Sequence, residues 1–262
     1  MEKTVPDIVW HYTSHDAALS IVRNNQLWLS NLRYLRDAQE FVWIFDCVTK
    51  YIETRKRRSD PVHPEVESRL VLQAHQRDLG TSICIACFST MPDDVAQWER
   101  YASEAQGVAV GFNAEELASA VGAGWGRWAP VIYDTSSKSR QIASAIEYAE
   151  DCQRGGKSIL GTRDDPLVHL AAFSKHESFS SEREFRLALY GVAYTRYEFR
   201  SRSNTLVPYT VLPINPTCVR SIRVGPRSLP DGLFAWGLVL DQIGHGIRPA
   251  HIELCQSQST LR

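Results

Sequence analysis

The 262-residue chain has no apolar run of about 18 residues, so no segment reads as a membrane-spanning helix. A dominant charge is missing as well. With 29 Lys and Arg against 30 Asp and Glu the net charge is −1, leaving no global field to draw the protein to nucleic acid or anionic lipid. The opening MEKTVPDIVW places acids and a proline where a secretory signal needs an apolar stretch. The six cysteines, Cys47, Cys84, Cys87, Cys152, Cys218 and Cys255, are scattered, which is the usage of a reducing compartment. Together these absences predict a cytoplasmic protein with no membrane partner and no disulfide framework.

Phosphate-cradling glycine loops are absent too. Neither G-x-G-x-x-G nor G-x-x-x-x-G-K-[ST] occurs, which argues against Rossmann and P-loop folds. Cys84-Ile-Ala-Cys87 has no second CxxC to complete a zinc site, and it lies in SICIACFS, which reads as a strand. Residues three apart on a strand face opposite ways, with Cα atoms about 10 Å apart, too far for a bridge. His11 and His15 fall on a strand and a helix respectively. His169 and His176 lack a carboxylate at ligand spacing. No metal is expected.

What remains is 44% apolar residues, enough to fill one large core, and seven tryptophans to give it bulky walls. Strands are predicted at 8–12, 26–30, 82–88, 107–112, 128–133, 184–193, 205–212, 219–224 and 250–254. Helices are predicted at 16–24 behind a Ser14 cap, from Asp37 to the breaker at 59–61, and at 64–77, 93–103, 114–121, 139–151, 166–175 and 229–242. Phe41, Ile44, Phe45, Val48 and Ile52 form the apolar stripe of the second helix. The irregular interleaving favours an α+β fold, a single mixed-sheet domain over 1–262 with surrounding helices.

Three clusters carry the candidate chemistry. His11 closes the first strand ahead of Tyr12, Thr13 and Ser14, where it either meets a ligand or leads into a helix cap. Asp94, Gln97, Trp98 and Tyr101 share a helical face, as core packing or as a cleft wall. In Ser180-Ser181-Glu182-Arg183-Glu184-Phe185-Arg186-Leu187, a period of two puts Glu182, Glu184 and Arg186 on one face, either a polar site or a solvated edge.

HYTS, LWLSN, Asp37 and Glu40, CFS, QWERYA, GVAVGF, FSKHESFSSEREFRL and IRVGP, taken in order, resemble a large bacterial family of uncharacterised proteins. Arg36-Asp37-Ala38 departs from that family's usual Asn-Asp-Pro, which removes the support for a role at residue 36. The family is similar in turn to ADP-ribosyltransferases. That resemblance implies an ADP-ribosyltransferase-like fold and NAD as substrate, with His11 as the first-strand histidine, Ser30 as the second-strand position, Glu184 as the catalytic glutamate and Glu182 as its partner. Tyr12, Thr13, Trp98, Tyr101 and Arg186 would complete the cofactor site. It also implies a toxin or phage-defence role, with an unidentified protein or nucleic-acid acceptor. The competing expectation is a non-catalytic nucleotide- or nucleic-acid-binding protein, with phosphate contacts from Arg55 to Arg58, Arg196, Arg200 and Arg202.

Overall fold

The computed structural model describes residues 6–35, 38–76, 83–122, 126–160, 165–202 and 204–261. The expected helix start at Asp37, the departure at Arg36, the strand start at Ser82, the helix end at Arg77 and the Glu40 and Phe41 side chains lie outside the described residues. Among the described residues, ten strands form one mixed sheet: β1 (Ile8–Thr13), β2 (Gln26–Asn31), β3 (Cys84–Ser89), β4 (Val108–Asn113), β5 (Gly126–Pro130), β6 (Glu184–Leu189), β7 (Glu198–Arg202), β8 (Thr205–Pro213), β9 (Val219–Val224) and β10 (Glu253–Gln256). The helices are α1 (His15–Asn24), α2 (Ala38–Arg57), α3 (Pro64–Gln76), α4 (Val95–Tyr101), α5 (Ala114–Ala120), α6 (Thr135–Arg154), α7 (Pro166–Ala172) and α8 (Gly232–Ile243).

The main strand order is β10-β9-β4-β1-β3-β2-β8-β7, with β6 branching from β3 and β5 pairing beyond it. All named strand pairs are antiparallel except β9 with β10, which α8 connects as a crossover. Strand alternation sorts the apolar residues into two layers. Val9, Leu29, Phe88 and Phe185 bury against α1, α5 and α8. Ile83, Ile85 and Ala188 bury against α2, α3, α6 and α7. A third cluster joins Trp10 and Tyr12 of β1 to Trp98 of α4.

Local chemistry fixes the ends of these elements. Ser14 caps α1, its hydroxyl accepting from the Ala17 amide, and the helix stops at Asn25 in a left-handed conformation (φ 50°). Gly107 is required where β4 begins, because a Cβ there would sit 2.2 Å from the Thr13 carbonyl oxygen.

Several expected bounds shift. The fifth strand runs over Gly126–Pro130 and the sixth ends at Leu189 rather than at 193. The last strand is Glu253–Gln256. β7 was not expected at all. Glu182 belongs to a 3-10 turn, Glu177–Glu182, and Arg183 is left-handed (φ 45°), so the predicted alternation starts only at Glu184. Among the described residues no helix is long and apolar enough to cross a membrane.

Candidate functional site

The site is built on β3. One edge carries β6 along its whole length, from Cys84 opposite Leu189 to Ser89 opposite Glu184. The other edge is divided between two strands. Asn31 and Ser30 of β2 pair with Cys84 and Ile85, whereas Trp10 of β1 pairs with Ser89. β1 and β2 therefore part over the middle of β3, and a cleft of about 480 Å³ opens between them.

His11 leans into the gap. Its Nδ1 lies 2.8 Å from the Cys87 carbonyl oxygen. A carbonyl only accepts, so Nδ1 carries the hydrogen and Nε2 is left as an acceptor. Burial lowers the His11 pKa; the Cys87 bond opposes that and the charge of Arg200 reinforces it, with a lowered value as the net result. The imidazole is neutral at pH 7.

Both acids line the same cleft and are nearly buried, Glu182 at 4% and Glu184 at 6% exposure. Arg186 grips Glu184 as a fork, Nε to Oε1 at 2.7 Å and Nη2 to Oε2 at 3.2 Å, while its Nη1 donates to the Ala172 carbonyl at 2.8 Å. Lys175 Nζ lies 2.6 Å from Glu182 Oε2 and 3.5 Å from Glu184 Oε2. Glu182 Oε1 takes Arg100 at 2.9 Å and the Tyr101 hydroxyl at 3.2 Å. Burial alone would raise the Glu184 pKa, but Arg186 and Lys175 outweigh it and hold the value at about 2. Burial likewise opposes charge on Lys175, and Glu184 leads the groups that keep it protonated.

Of the residues expected from sequence, His11, Tyr12, Thr13, Ser30, Tyr101, Glu182, Glu184 and Arg186 all line this cleft. Trp98 does not. It is fully buried, edge-on to Tyr12, and its indole donates to Asp93 at 2.6 Å, so it supports the wall from behind. The Tyr12 hydroxyl is also committed, donating to the Met91 carbonyl at 2.7 Å and accepting from the Asp94 amide at 3.0 Å. Asp94 caps α4 through the Gln97 amide. Of the expected basic residues, Arg55 pairs with Asp60 and Glu150, Lys56 pairs with Glu67, and Arg57 lies 4.0 Å from Glu53 at the surface. Residues 55–58 and Arg196 are not in the cleft lining, whereas Arg200 and Arg202 are.

Sequence reasoning missed Lys175, Ser174, Cys87 and the placement of Arg200. Lys175 lay inside the quoted FSKHES motif, but nothing in its neighbours marked it as buried. The Ser174 hydroxyl is buried on the cleft wall with no hydrogen-bond partner among the described residues. The Cys87 thiol interacts with Glu184, and burial followed by that carboxylate pushes its pKa well up. Cys84 and Cys87 are both free thiols. Among the described residues no group of three His, Cys, Asp or Glu is placed to hold a metal.

Residues 97–187 match the model of a family described as a protein of unknown function (DUF2971). The stretch takes in Tyr101, Lys175, Glu182, Glu184 and Arg186, and it begins after His11 and Ser30. Over it the chain is similar to an uncharacterised family. No curated protein and no solved structure matches the chain.

Proposed function

We propose that the protein binds NAD in this cleft and breaks the nicotinamide–ribose bond, passing ADP-ribose to an acceptor or to water. The observation that carries this reading is the meeting of His11, from the first strand, with Glu182 and Glu184, from the last third of the chain, on one cleft of about 480 Å³. That volume falls in the range of roughly 300–1,000 Å³ typical of ligand sites.

In this reading the C–N bond breaks with its electron pair leaving on nicotinamide, and positive charge builds on the ribose as in glycoside cleavage. Glu184, ionised and fixed by Arg186, faces that charge as a preorganised group. His11 accepts from a ribose hydroxyl through Nε2. Glu182 orients the incoming nucleophile, which releases its proton to solvent water as it bonds to the ribose carbon. Consumption of NAD fits a toxin or phage-defence effector, and the acceptor is a protein, a nucleic acid or water.

One observation favours a second reading. Glu184 already takes three N–H donors and interacts with the Cys87 thiol, which offsets much of its charge. A cleft so neutralised suits binding of a nucleotide or nucleic acid without turnover.

Incubation with NAD labelled in its nicotinamide ring separates the two. Release by the wild type, reduced by about 10²–10³ in Glu184→Gln, supports cleavage. Binding without release supports the second reading, and the absence of both overturns the NAD assignment.

A further inference from the structure

We propose that Arg200, with Ser30 and Arg202, forms a subsite in this cleft for a phosphoryl or diphosphoryl group. The residues come from the edge strand β7 and from β2. Glu198 pairs with Tyr209, which pairs in turn with Ser30, and this ladder brings Arg200 across to the cleft wall. Arg200 Nη2 donates to the Ser30 hydroxyl at 2.7 Å. Its guanidinium lies over Trp28 at 5.7 Å and over Tyr209 at 5.8 Å, and all of Ser30, Trp28, Arg200 and Arg202 line the cleft.

The charge of Arg200 is what calls for a ligand. The two fully buried cations of this cleft meet carboxylates: Arg186 meets Glu184, and Lys175 meets both acids. Half-buried Arg202 donates to the Tyr34 carbonyl. Arg200 meets a serine hydroxyl and two aromatic faces, and its Nε is buried without a hydrogen-bond partner among the described residues. Burial and then the charge of Arg202 lower the Arg200 pKa, with Tyr209 opposing them, and the charge of Arg200 in turn helps to lower that of His11. A desolvated guanidinium without an anion is unfavourable, and a planar fork held over aromatic rings suits an oxyanion with several acceptor oxygens. A diphosphate also fits the distribution of charge, since the acids at the other end of the cleft are already paired. The subsite rests on the NAD reading only for the identity of the full ligand.

Inorganic pyrophosphate is the probe, titrated by calorimetry into the wild-type protein, Arg200→Gln, Arg200→Lys and the surface control Arg57→Gln. The wild type and Arg57→Gln should bind alike. Arg200→Gln should bind at least about tenfold more weakly, the usual scale for losing a charge-assisted pair. If Arg200→Gln lacks a cooperative melting transition, Arg200→Lys carries the test. It keeps the charge but not the fork, and should bind about threefold or more weaker. No binding by the wild type, or unchanged affinity in both Arg200 variants, overturns the subsite. Arg200-dependent pyrophosphate binding without nicotinamide release would sink the NAD reading alone. Nicotinamide release with an unchanged KM in Arg200→Gln would sink the subsite alone.

Discussion

His11 donates its Nδ1 hydrogen to the carbonyl of Cys87 across 2.8 Å, at the place where β1 and β2 draw apart over β3. The bond fixes the tautomer and holds a basic nitrogen toward the cleft. Cys87 also reaches Glu184 through its thiol, so one residue of β3 touches both ends of the proposed machinery.

The pH dependence of NAD cleavage follows from that bond. The folded-state pKa of His11 lies below 6.5, so the ring stays neutral on going from pH 8 to pH 7 and protonates only in more acidic solution. Nicotinamide release should be flat from about pH 7 to 8 and fall in acid, below the usual histidine range. The unfolded chain takes up the proton first, so stability also declines as pH drops through 6.5. A rate profile with its acid limb centred above pH 7 would contradict the neutral assignment.

Glu184 contributes to stability in a lower window. Its folded pKa of about 2 against an ordinary 4.5 means that the contribution is complete above pH 4.5 and lost as pH falls toward 2. Acid unfolding of Glu184→Gln should be less steep in that window than that of the wild type, followed by circular dichroism. Arg186→Ala, which leaves a buried carboxylate without its fork, should cost about 3–5 kcal/mol in chemical denaturation.

How much of this was legible in the sequence depends on which force set each element. Where residue type alternates along a strand, as in Val9 against Trp10 or Phe185 against Arg186, the pattern located strand and face together, although both faces are buried. β7 stayed hidden because Phe199 is 64% exposed on an edge strand, and its sequence EFRSR has no apolar face to bury. Glu182 was assigned to the strand because alternation runs smoothly through Arg183, whose left-handed backbone breaks it. Trp98 illustrates a tie in the pattern: an aromatic on a mixed helical face reads equally as wall or core, and the Asp93 carboxylate settled it as core. Arg200 stood in the sequence only as one of several arginines that could contact phosphate, and its place beside Ser30 was not legible because it depends on a ladder through β8 to β2.

Cys87 should be inert although it lies in the cleft wall. Burial and Glu184 push its thiol pKa well up, so little thiolate exists at neutral pH. Iodoacetamide at pH 7.5 should alkylate Cys87 only on unfolding, read by peptide mass spectrometry. Rapid labelling in the native protein would show that the thiol is open and ionised.

Asp93 should matter for stability rather than for turnover. Its carboxylate accepts from the Trp98 indole at 2.6 Å, the Ser257 hydroxyl at 2.6 Å and the Gln258 amide at 2.7 Å, tying the C-terminal segment to α4. Asp93→Ala leaves the buried indole without its acceptor and should cost about 1–3 kcal/mol in thermal or chemical unfolding. A loss below about 0.5 kcal/mol would mean that water replaces the carboxylate at little cost.

The decisive experiment is a structure with a non-hydrolysable NAD analogue bound. The ribose next to nicotinamide should lie within hydrogen-bond distance of both His11 Nε2 and the Glu184 carboxylate. An analogue seated away from either group, or a cleft that stays empty at saturating analogue, would contradict the NAD reading.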